Sequence, residues 1–225
     1  MPRTEAVAKH LVEYLKRTNP MDKTIVFCVD QDHARDMRDA IAKLVPDLML
    51  QYPSYVSRVT ADDGEVGKGL LYEFQDNDKP TPVILTTSRL LSTGVDAPMV
   101  KNIVLFRVVD TMSEFKQIIG RGTRVFEEYG KLFFTIIDYT GSATQKFADP
   151  EFDGLPASVT NLGMTEDGDT APDSETTTEP DDDLEDDTVR IATGNNNTMP
   201  RKYVVRNGVN VTIAHEMVQE LDASG

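Results

Sequence analysis

The stretch T-I-V-F-C-V, Thr24 to Val29, decides the fold class of this chain. It is continuously apolar, rich in β-branched residues and free of charge. Strands of this kind are typical of parallel sheets, because helices cover both faces of such sheets. Similar runs lie at 82–88 (PVILTTS), 102–108 (NIVLFRV) and 132–139 (LFFTIIDY), with a shorter predicted strand at 55–60 (YVSRVT).

Amphipathic patterns with helical spacing separate these apolar runs. They lie at 4–16, before Pro46, around 70–74, and after Thr111. Alternating strands and helices predict an α/β fold, in which a parallel sheet carries helices on both faces. Functional residues of such folds collect in loops beyond the carboxyl ends of the strands.

Polar residues mark the predicted helix starts. Asp30 or Asp32 can cap the helix that follows the first strand. Thr111 and Glu114 have the T-x-x-E spacing of a capping box, which opens the helix carrying Phe115, Ile118 and Ile119. That helix runs into a glycine-rich, arginine-bearing segment.

The net charge of −15 over 225 residues belongs mostly to one segment. Twelve acidic residues lie between Glu166 and Asp187, whereas residues 1–150 hold 19 Lys and Arg against 21 Asp and Glu. The first 150 residues are therefore close to neutral. The global charge does not exclude a polyanionic partner such as nucleic acid.

The second half of the chain changes character. Residues 151–200 are acidic and rich in threonine, so we expect a flexible low-complexity linker, with an acidic nucleic-acid mimic as the alternative. Asn207-Gly208 between two alternating apolar runs predicts a β-hairpin within 201–225. The final H-E-M-V-Q-E-L predicts the start of a helix, as if this region were truncated. The expected domains are thus 1–150, 151–200 and 201–225.

Several classes of chemistry have no matching pattern. The lone cysteine, Cys28, excludes an internal disulfide, and no Cys/His cluster predicts a metal site. Around Gly67-Lys68-Gly69 a phosphate-binding loop fails, because Asp62 and Gly69 replace the required Gly and Ser or Thr. With no apolar run long enough for a bilayer and no signal peptide, a cytoplasmic location is expected.

Hydroxyl groups are predicted at two strand ends. Thr60 follows one short strand, and Thr87 and Ser88 close the run PVILTTS. Hydroxyls can donate hydrogen bonds to the phosphate oxygens of a polynucleotide backbone. The segment S-R-L-L-S-T-G-V-D follows, in which Gly94 permits close backbone approach and Asp96 can bond a ribose or hold an arginine.

The segment Q-I-I-G-R-G-T-R supplies Arg121 and Arg124, directly after Gly120. Such a pair alone is more typical of a solvated helix face, and strand-end hydroxyls alone are more typical of turns. An arginine delivered from a second domain also stabilises charge on a transferring phosphoryl group. The order of these loops favours the second interpretation, with the glycines expected to loosen the helix end.

T-I-V-F-C-V-D, I-L-T-T-S-R-L-L-S-T-G-V-D-A-P and E-F-K-Q-I-I-G-R-G-T-R resemble motifs IV, V and VI of superfamily 2 helicases. These motifs occupy the second RecA-like domain. The wider sequence, with I-I-D-Y-T-G-S-A-T-Q-K-F-A-D-P and the late hairpin, is similar to the motor (R) subunit of type I restriction-modification enzymes. The resemblance covers nearly the whole chain apart from the acidic segment.

This resemblance implies part of an ATP-dependent double-stranded DNA translocase. ATP and Mg²⁺ would be held mainly by a first RecA-like domain, to which Arg121 and Arg124 reach across. Gly94, Asp96, Gln117 and Gly120 would border the nucleotide. Further implied partners are a nuclease domain of the same parent chain and the methyltransferase and specificity subunits.

On DNA, the resemblance assigns backbone contacts to Thr60, Thr87, Ser88 and Arg89. Ser88 and Arg89 depart from the Thr and Asp of many helicases, which affects the detail of strand contact. A piece without Walker and nuclease motifs is expected to be inactive alone. Two alternatives stay open: another superfamily 2 helicase or repair ATPase, and a non-catalytic helicase-like interaction module.

Overall fold

A computed structural model describes residues 2–88, 97–120, 131, 133–143, 156–163, 176–178, 203–204, 210–211 and 214–220. The helices within these ranges are α1 (Pro2–Arg17), α2 (Gln31–Leu44), α3 (Pro46–Gln51), α4 (Gly64–Gln75) and α5 (Met112–Ile119). The strands are β1 (Thr24–Cys28), β2 (Val56–Arg58), β3 (Ile84–Thr87), β4 (Asn102–Phe106), β5 (Phe133–Asp138), β6 (Pro156–Leu162), β7 (Thr176–Thr178), β8 (Tyr203–Val204), β9 (Asn210–Val211) and β10 (Ala214–Glu220).

Five parallel strands form the centre of the main sheet, in the order β2-β3-β1-β4-β5. Every residue of β1, β3 and β4 is buried, as continuous apolar runs predict for a sheet covered on both faces. The register aligns Thr24 of β1 with Ile84 of β3 and Asn102 of β4. The predicted parallel α/β sheet is confirmed.

Alternate residues of β1 enter two separate apolar clusters. Val26 and Cys28 join α1 and α2 on one face, whereas Ile25 and Phe27 join α4 and α5 on the other. The Cys28 side chain is fully buried as a small apolar group, as expected. Helices therefore cover both faces of this sheet.

Two predicted helix caps, Asp30 and Thr111, are confirmed, but the predicted capping box is not completed. Asp30 caps α2, because its Oδ1 accepts a hydrogen bond from the His33 N–H at 2.8 Å. Thr111 caps α5 by accepting from the Glu114 N–H at 3.2 Å. The Glu114 carboxylate, predicted to complete a capping box, is instead paired with Arg107. Pro46 begins the short helix α3, which the sequence pattern did not predict.

The later strands correct two expectations. The predicted helix start at residues 215–221 is wrong, because residues 214–220 form β10, which lies antiparallel between β5 and β6. Backbone pairing on both sides outweighs the local helix preference, and it covers an edge that β5 would otherwise expose. Within the expected linker, 156–162 and 176–178 form strands that extend the same sheet.

The predicted hairpin is confirmed by its strands. Tyr203 of β8 pairs antiparallel with Val211 of β9, and Val204 pairs with Asn210. The turn at Asn207-Gly208 lies outside the described residues, and the three-domain division stays a prediction. None of the described helices has the length and apolar character needed to cross a membrane.

Candidate nucleic-acid and nucleotide interface

Thr60 and Ser88 follow neighbouring strands at the carboxyl edge of the parallel sheet. Arg58 of β2 pairs in register with Thr86 of β3, and Thr60 and Ser88 each come two residues later. Because side chains alternate along a strand, both residues lie on the α2 side of the sheet. Their exposed fractions are only 2% and 7%. The sheet thus brings together two of the predicted phosphate-binding hydroxyls.

The Thr60 hydroxyl is already engaged within the chain. It donates to the Asp63 carboxylate at 2.7 Å, and the Thr60 N–H donates to the same oxygen at 2.7 Å. Partial burial raises the pKa of Asp63, but hydrogen bonds from Thr60 and Arg58 outweigh burial, so the pKa is lowered overall. An ionised carboxylate beside Thr60 would repel a phosphate. The Thr60 hydroxyl is therefore not free to donate to a phosphate in this arrangement.

Thr87 lies on the opposite face, among the apolar residues that contact α4 and α5. Leu85, two residues earlier on the same face of β3, belongs to that cluster. Thr86, between them, faces α2, where its hydroxyl donates to the Ala34 carbonyl at 2.8 Å. Thr87 is fully buried, and its Oγ1 has no hydrogen-bond partner within the described part of the chain. A buried unsatisfied hydroxyl costs about 1–3 kcal/mol. Thr87 retains unused hydrogen-bonding capacity at the strand end.

Helix α5 presents one predicted site residue to solvent. Phe115, Ile118 and Ile119 are buried, while Gln117 on the same helix is exposed. Gly120 ends the helix, and its N–H donates to the Lys116 carbonyl at 3.0 Å. Its φ of −54° is helical, so the glycine does not loosen the helix end through a left-handed backbone. A Cβ at Gly120 would lie 3.0 Å from the Lys116 oxygen, so close approach favours glycine here.

The other predicted site residues lie outside the described residues. These are Arg89, Gly94, Asp96, Arg121 and Arg124. The first three follow β3 along the chain, and the two arginines directly follow α5. Their roles stay predictions.

Arg107, at the end of β4, makes a contact that the sequence pattern did not predict. Its side chain is 7% exposed and its Nη2 pairs with the Glu114 carboxylate of α5. Its Nε is buried, and no described residue accepts a hydrogen bond from it. Burial of an arginine charge is costly unless a carboxylate compensates it, so this pair fixes α5 against β4. The sequence signal for this contact is a charged residue, Arg107, directly after the apolar strand β4.

The loop after β5 is organised around the fully buried Asp138 carboxylate. Oδ1 accepts from the Thr140 N–H at 2.9 Å, the Thr140 hydroxyl at 2.7 Å and the Gly141 N–H at 3.0 Å. Oδ2 accepts from the Ala143 N–H at 3.0 Å. Several donors to one carboxylate define a single loop conformation. The loop is therefore held rigidly at the carboxyl edge.

This loop also contacts the exit of β4. The Thr140 hydroxyl lies 3.4 Å from the Arg107 carbonyl, and the Val109 N–H donates to the Ser142 hydroxyl at 3.2 Å. Residues 107–109 lead directly into α5. The Asp138 loop and the Arg107–Glu114 pair thus constrain the same short connection.

A buried histidine lies on the α1 side of this edge. The Nδ1 of His10 is 2.6 Å from the Tyr139 hydroxyl, and its Nε2 has no partner among the described residues. Burial, with a smaller effect of Arg17, lowers the pKa of His10 to about 4. His10 is therefore neutral at pH 7.

Two buried lysines occupy the amino edge instead. Lys23 donates to the Lys79 and Pro82 carbonyls at 3.1 and 2.7 Å, and Lys131 donates to the Pro98 carbonyl at 2.7 Å. Burial lowers the pKa of Lys23 to about 8 and that of Lys131, which is also near Lys101, to about 7. Their ammonium groups are used in internal contacts. Among the described residues, no cluster of His, Cys, Asp or Glu could hold a metal ion.

A five-stranded parallel sheet with helices on both faces, and candidate ligand residues at its carboxyl edge, defines a RecA-like domain. The helicase conserved C-terminal domain model matches residues 6–126, and the chain belongs to that family. The resemblance to superfamily 2 helicases and type I restriction subunits is confirmed.

Two relatives are endonuclease subunits of type I restriction enzymes from Escherichia coli. The EcoAI subunit is 55% identical over 157 residues, which cover 70% of this chain and 19% of that protein. The EcoKI subunit of strain K12 is 36% identical over 138 residues, or 59% of this chain and 12% of that protein. The chain thus spans about a fifth or less of their length.

A solved structure gives the same likeness. A fragment of a putative HsdR subunit of a type I restriction enzyme from Vibrio vulnificus YJ016 has a TM-score of 0.72 and 59% identity. The match covers 76% of this chain and 33% of that chain.

Proposed function

We propose that this chain is part of the motor subunit of a cytoplasmic type I restriction-modification enzyme, an ATP-dependent double-stranded DNA translocase. The likeness to type I endonuclease subunits carries the proposal. The end of α5 at Gly120, directly before Arg121 in the sequence, supports it. The parent protein is the enzyme, and the piece described by this sequence is inactive alone.

Arg121 and Arg124 bind the terminal phosphate of a nucleotide held by another RecA-like domain, with Arg124 as the arginine finger. Bound ATP with Mg²⁺ supplies the phosphoryl group that is transferred to water. A guanidinium at this position stabilises negative charge that develops in the transition state. Gly94 and Asp96 border the nucleotide.

The described residues fit a nucleotide shared between two domains. Gln117 is exposed on α5, and Gly120 ends that helix immediately before Arg121. An exposed polar side chain beside the arginine segment suits contact with a second domain. Gln117 couples the nucleotide to the DNA-binding residues.

DNA contacts come from the ends of β2 and β3. Thr87 and Ser88 donate hydrogen bonds to backbone phosphates, Arg89 adds a charge-assisted contact, and Thr60 contributes least because it is held by Asp63. Such contacts track the backbone without reading sequence. A specificity subunit therefore supplies recognition, and a methyltransferase subunit and a nuclease domain complete the assembly.

The test uses the complete motor subunit assembled on double-stranded DNA. Arg124→Ala should lower ATP hydrolysis by about a thousandfold, because an arginine finger contributes on that order. DNA affinity, measured by fluorescence anisotropy, should stay unchanged. Arg35→Ala is the matched control, since Arg35 is half-exposed on α2 and pairs with Asp32 at 3.0 Å.

Full turnover by Arg124→Ala would disprove the arginine-finger assignment. Stimulation by RNA rather than duplex DNA would favour another superfamily 2 helicase. An assembly that translocates normally after both Arg121 and Arg124 are changed would favour an interaction module.

A further inference from the structure

We propose that the Arg107–Glu114 pair is a positioning device that sets the direction of α5, and through it the arginines that follow the helix. This inference rests on the proposed function, because it assigns a cause to the placement of Arg121 and Arg124. Neither Arg107 nor Glu114 is among the predicted nucleotide or DNA contacts. They act through the helix that connects the sheet to the arginine segment.

The pair joins two elements that are adjacent in sequence. Arg107 follows the last residue of β4, and Glu114 lies in the first turn of α5. The connection of residues 107–111 reverses the chain between them. A contact across this reversal fixes the angle between α5 and the sheet, because Arg107 follows directly from β4 and Glu114 belongs to the first turn of α5.

The contact is partly shielded from water. The exposed fractions of the two side chains are 7% for Arg107 and 25% for Glu114. A shielded pair is screened less than a surface pair, and removing one partner leaves an uncompensated charge. The energy of the Arg107–Glu114 contact therefore changes steeply when α5 moves relative to β4.

The Asp138 loop fixes the other side of the same connection. The Ser142 hydroxyl accepts from the Val109 N–H at 3.2 Å, and the Thr140 hydroxyl, which donates to Asp138, lies 3.4 Å from the Arg107 carbonyl. The backbone at Val109 is thus held by the loop after β5, while the Arg107 side chain holds α5. The end of α5 can shift little, and a displacement of about 1 Å at a reacting group can cost a hundredfold in rate.

The chain supplies a matched control pair at the other end of β4. Lys101 pairs with Asp22 at 3.3 Å, with exposed fractions of 29% and 16%. Both pairs are partly buried and flank the same strand. Only Arg107–Glu114 reaches the helix that precedes the arginines, so Asp22→Asn removes a comparable ion pair without touching α5.

The experiment compares Glu114→Gln, Arg107→Lys and Asp22→Asn in the complete motor subunit on duplex DNA. Glu114→Gln should lower kcat for ATP by about tenfold, with KM and DNA affinity within about twofold, since misplacement acts on the transition state. Arg107→Lys keeps a positive charge beside Glu114, so this variant should keep much of the parent kcat. Amide hydrogen exchange of residues 112–119 should be faster in Glu114→Gln and unchanged in Asp22→Asn.

Equal kcat values for Glu114→Gln and Asp22→Asn would overturn the inference. A parallel fall of kcat, DNA affinity and melting temperature would also overturn it, because the pair would then serve folding alone. If Glu114→Gln is poorly soluble, Arg107→Gln removes the same ion pair from the other side, and its kcat and exchange measurement decide the same question. Failure of the proposed function is separate, since it would appear as unchanged hydrolysis in Arg124→Ala.

Discussion

The two edges of the parallel sheet use polar groups differently. At the amino edge, the ammonium groups of Lys23 and Lys131 donate to backbone carbonyls, and Asp22 pairs with Lys101. At the carboxyl edge, the Thr87 hydroxyl is buried without a described partner, and exposed Gln117 precedes the arginine segment. The described amino edge thus uses its polar groups in internal contacts, whereas the carboxyl edge combines internal contacts, such as those of Asp138, with a hydroxyl that no described residue satisfies.

The largest expected effect concerns the amino edge. Burial lowers the pKa of Lys131 to about 7, so between pH 7 and its ordinary pKa the unfolded chain binds more protons than the folded chain. Stability from this group therefore rises with pH, by about 3–4 kcal/mol between pH 7 and pH 10. Urea unfolding across that range should show the rise, and Lys131→Met should flatten it.

The free energies of unfolding of the parent chain and of Lys131→Met must be compared at each pH, because other groups also titrate between pH 7 and pH 10. Burial raises the pKa of Cys28 to about 12, which lowers stability above about pH 9 in both proteins. A pH dependence identical in Lys131→Met and the parent would show that Lys131 is not shielded at this edge.

A second, smaller effect belongs to the carboxyl edge. His10, bound to Tyr139, has a pKa of about 4, so the unfolded chain binds the extra proton first as pH falls from 6.5. The stability contributed by neutral His10 is present above pH 6.5 and is lost towards pH 4, by about 3 kcal/mol. His10→Gln should remove this loss in acid unfolding curves.

His33→Gln is the matched control for that measurement. Burial also lowers the pKa of His33, but this side chain is only half-buried, so its replacement should alter the acid limb less. Acid sensitivity that persists unchanged in His10→Gln would place the titrating group elsewhere.

The smallest expected effect separates stability from function within β3. Thr87→Val should raise stability by about 1 kcal/mol, because it removes a buried unsatisfied hydroxyl without changing shape. It should also weaken DNA-stimulated ATP hydrolysis in the complete subunit. Thr86→Val is the control of opposite sign, since it removes the hydrogen bond to Ala34 and should lower stability by about 1 kcal/mol. A destabilised Thr87→Val would show that the hydroxyl is satisfied.

Much of the sheet could be predicted because its information is local. The run from Thr24 to Cys28 has no charged residue, and a fully buried parallel strand is the structure that such a run suits. Asp30 as a cap is equally local. Helix α3 does not follow from Pro46 alone, because proline suits both the residue after one helix and the first turn of the next.

Long-range pairing explains the errors. The composition of residues 214–220 favours a helix, but their strand forms by pairing with β5, about 80 residues earlier. The hydrogen bonds from residues 140–143 to Asp138 likewise depend on a loop that no short pattern specifies. Thr60 lies at a strand end as the sequence predicts, but its engagement by Asp63 depends on side-chain geometry that no short pattern specifies.

The single cysteine gives the chain a practical property. Cys28 is fully buried in β1, and burial raises the pKa of its thiol to about 12. Since the thiolate is the reactive form, this sulfur should resist alkylating dyes while the fold is intact. A cysteine introduced at the exposed position of Gln117 would then be the one labelled in this chain. A fluorophore there would report the movement of α5 without removal of the native thiol.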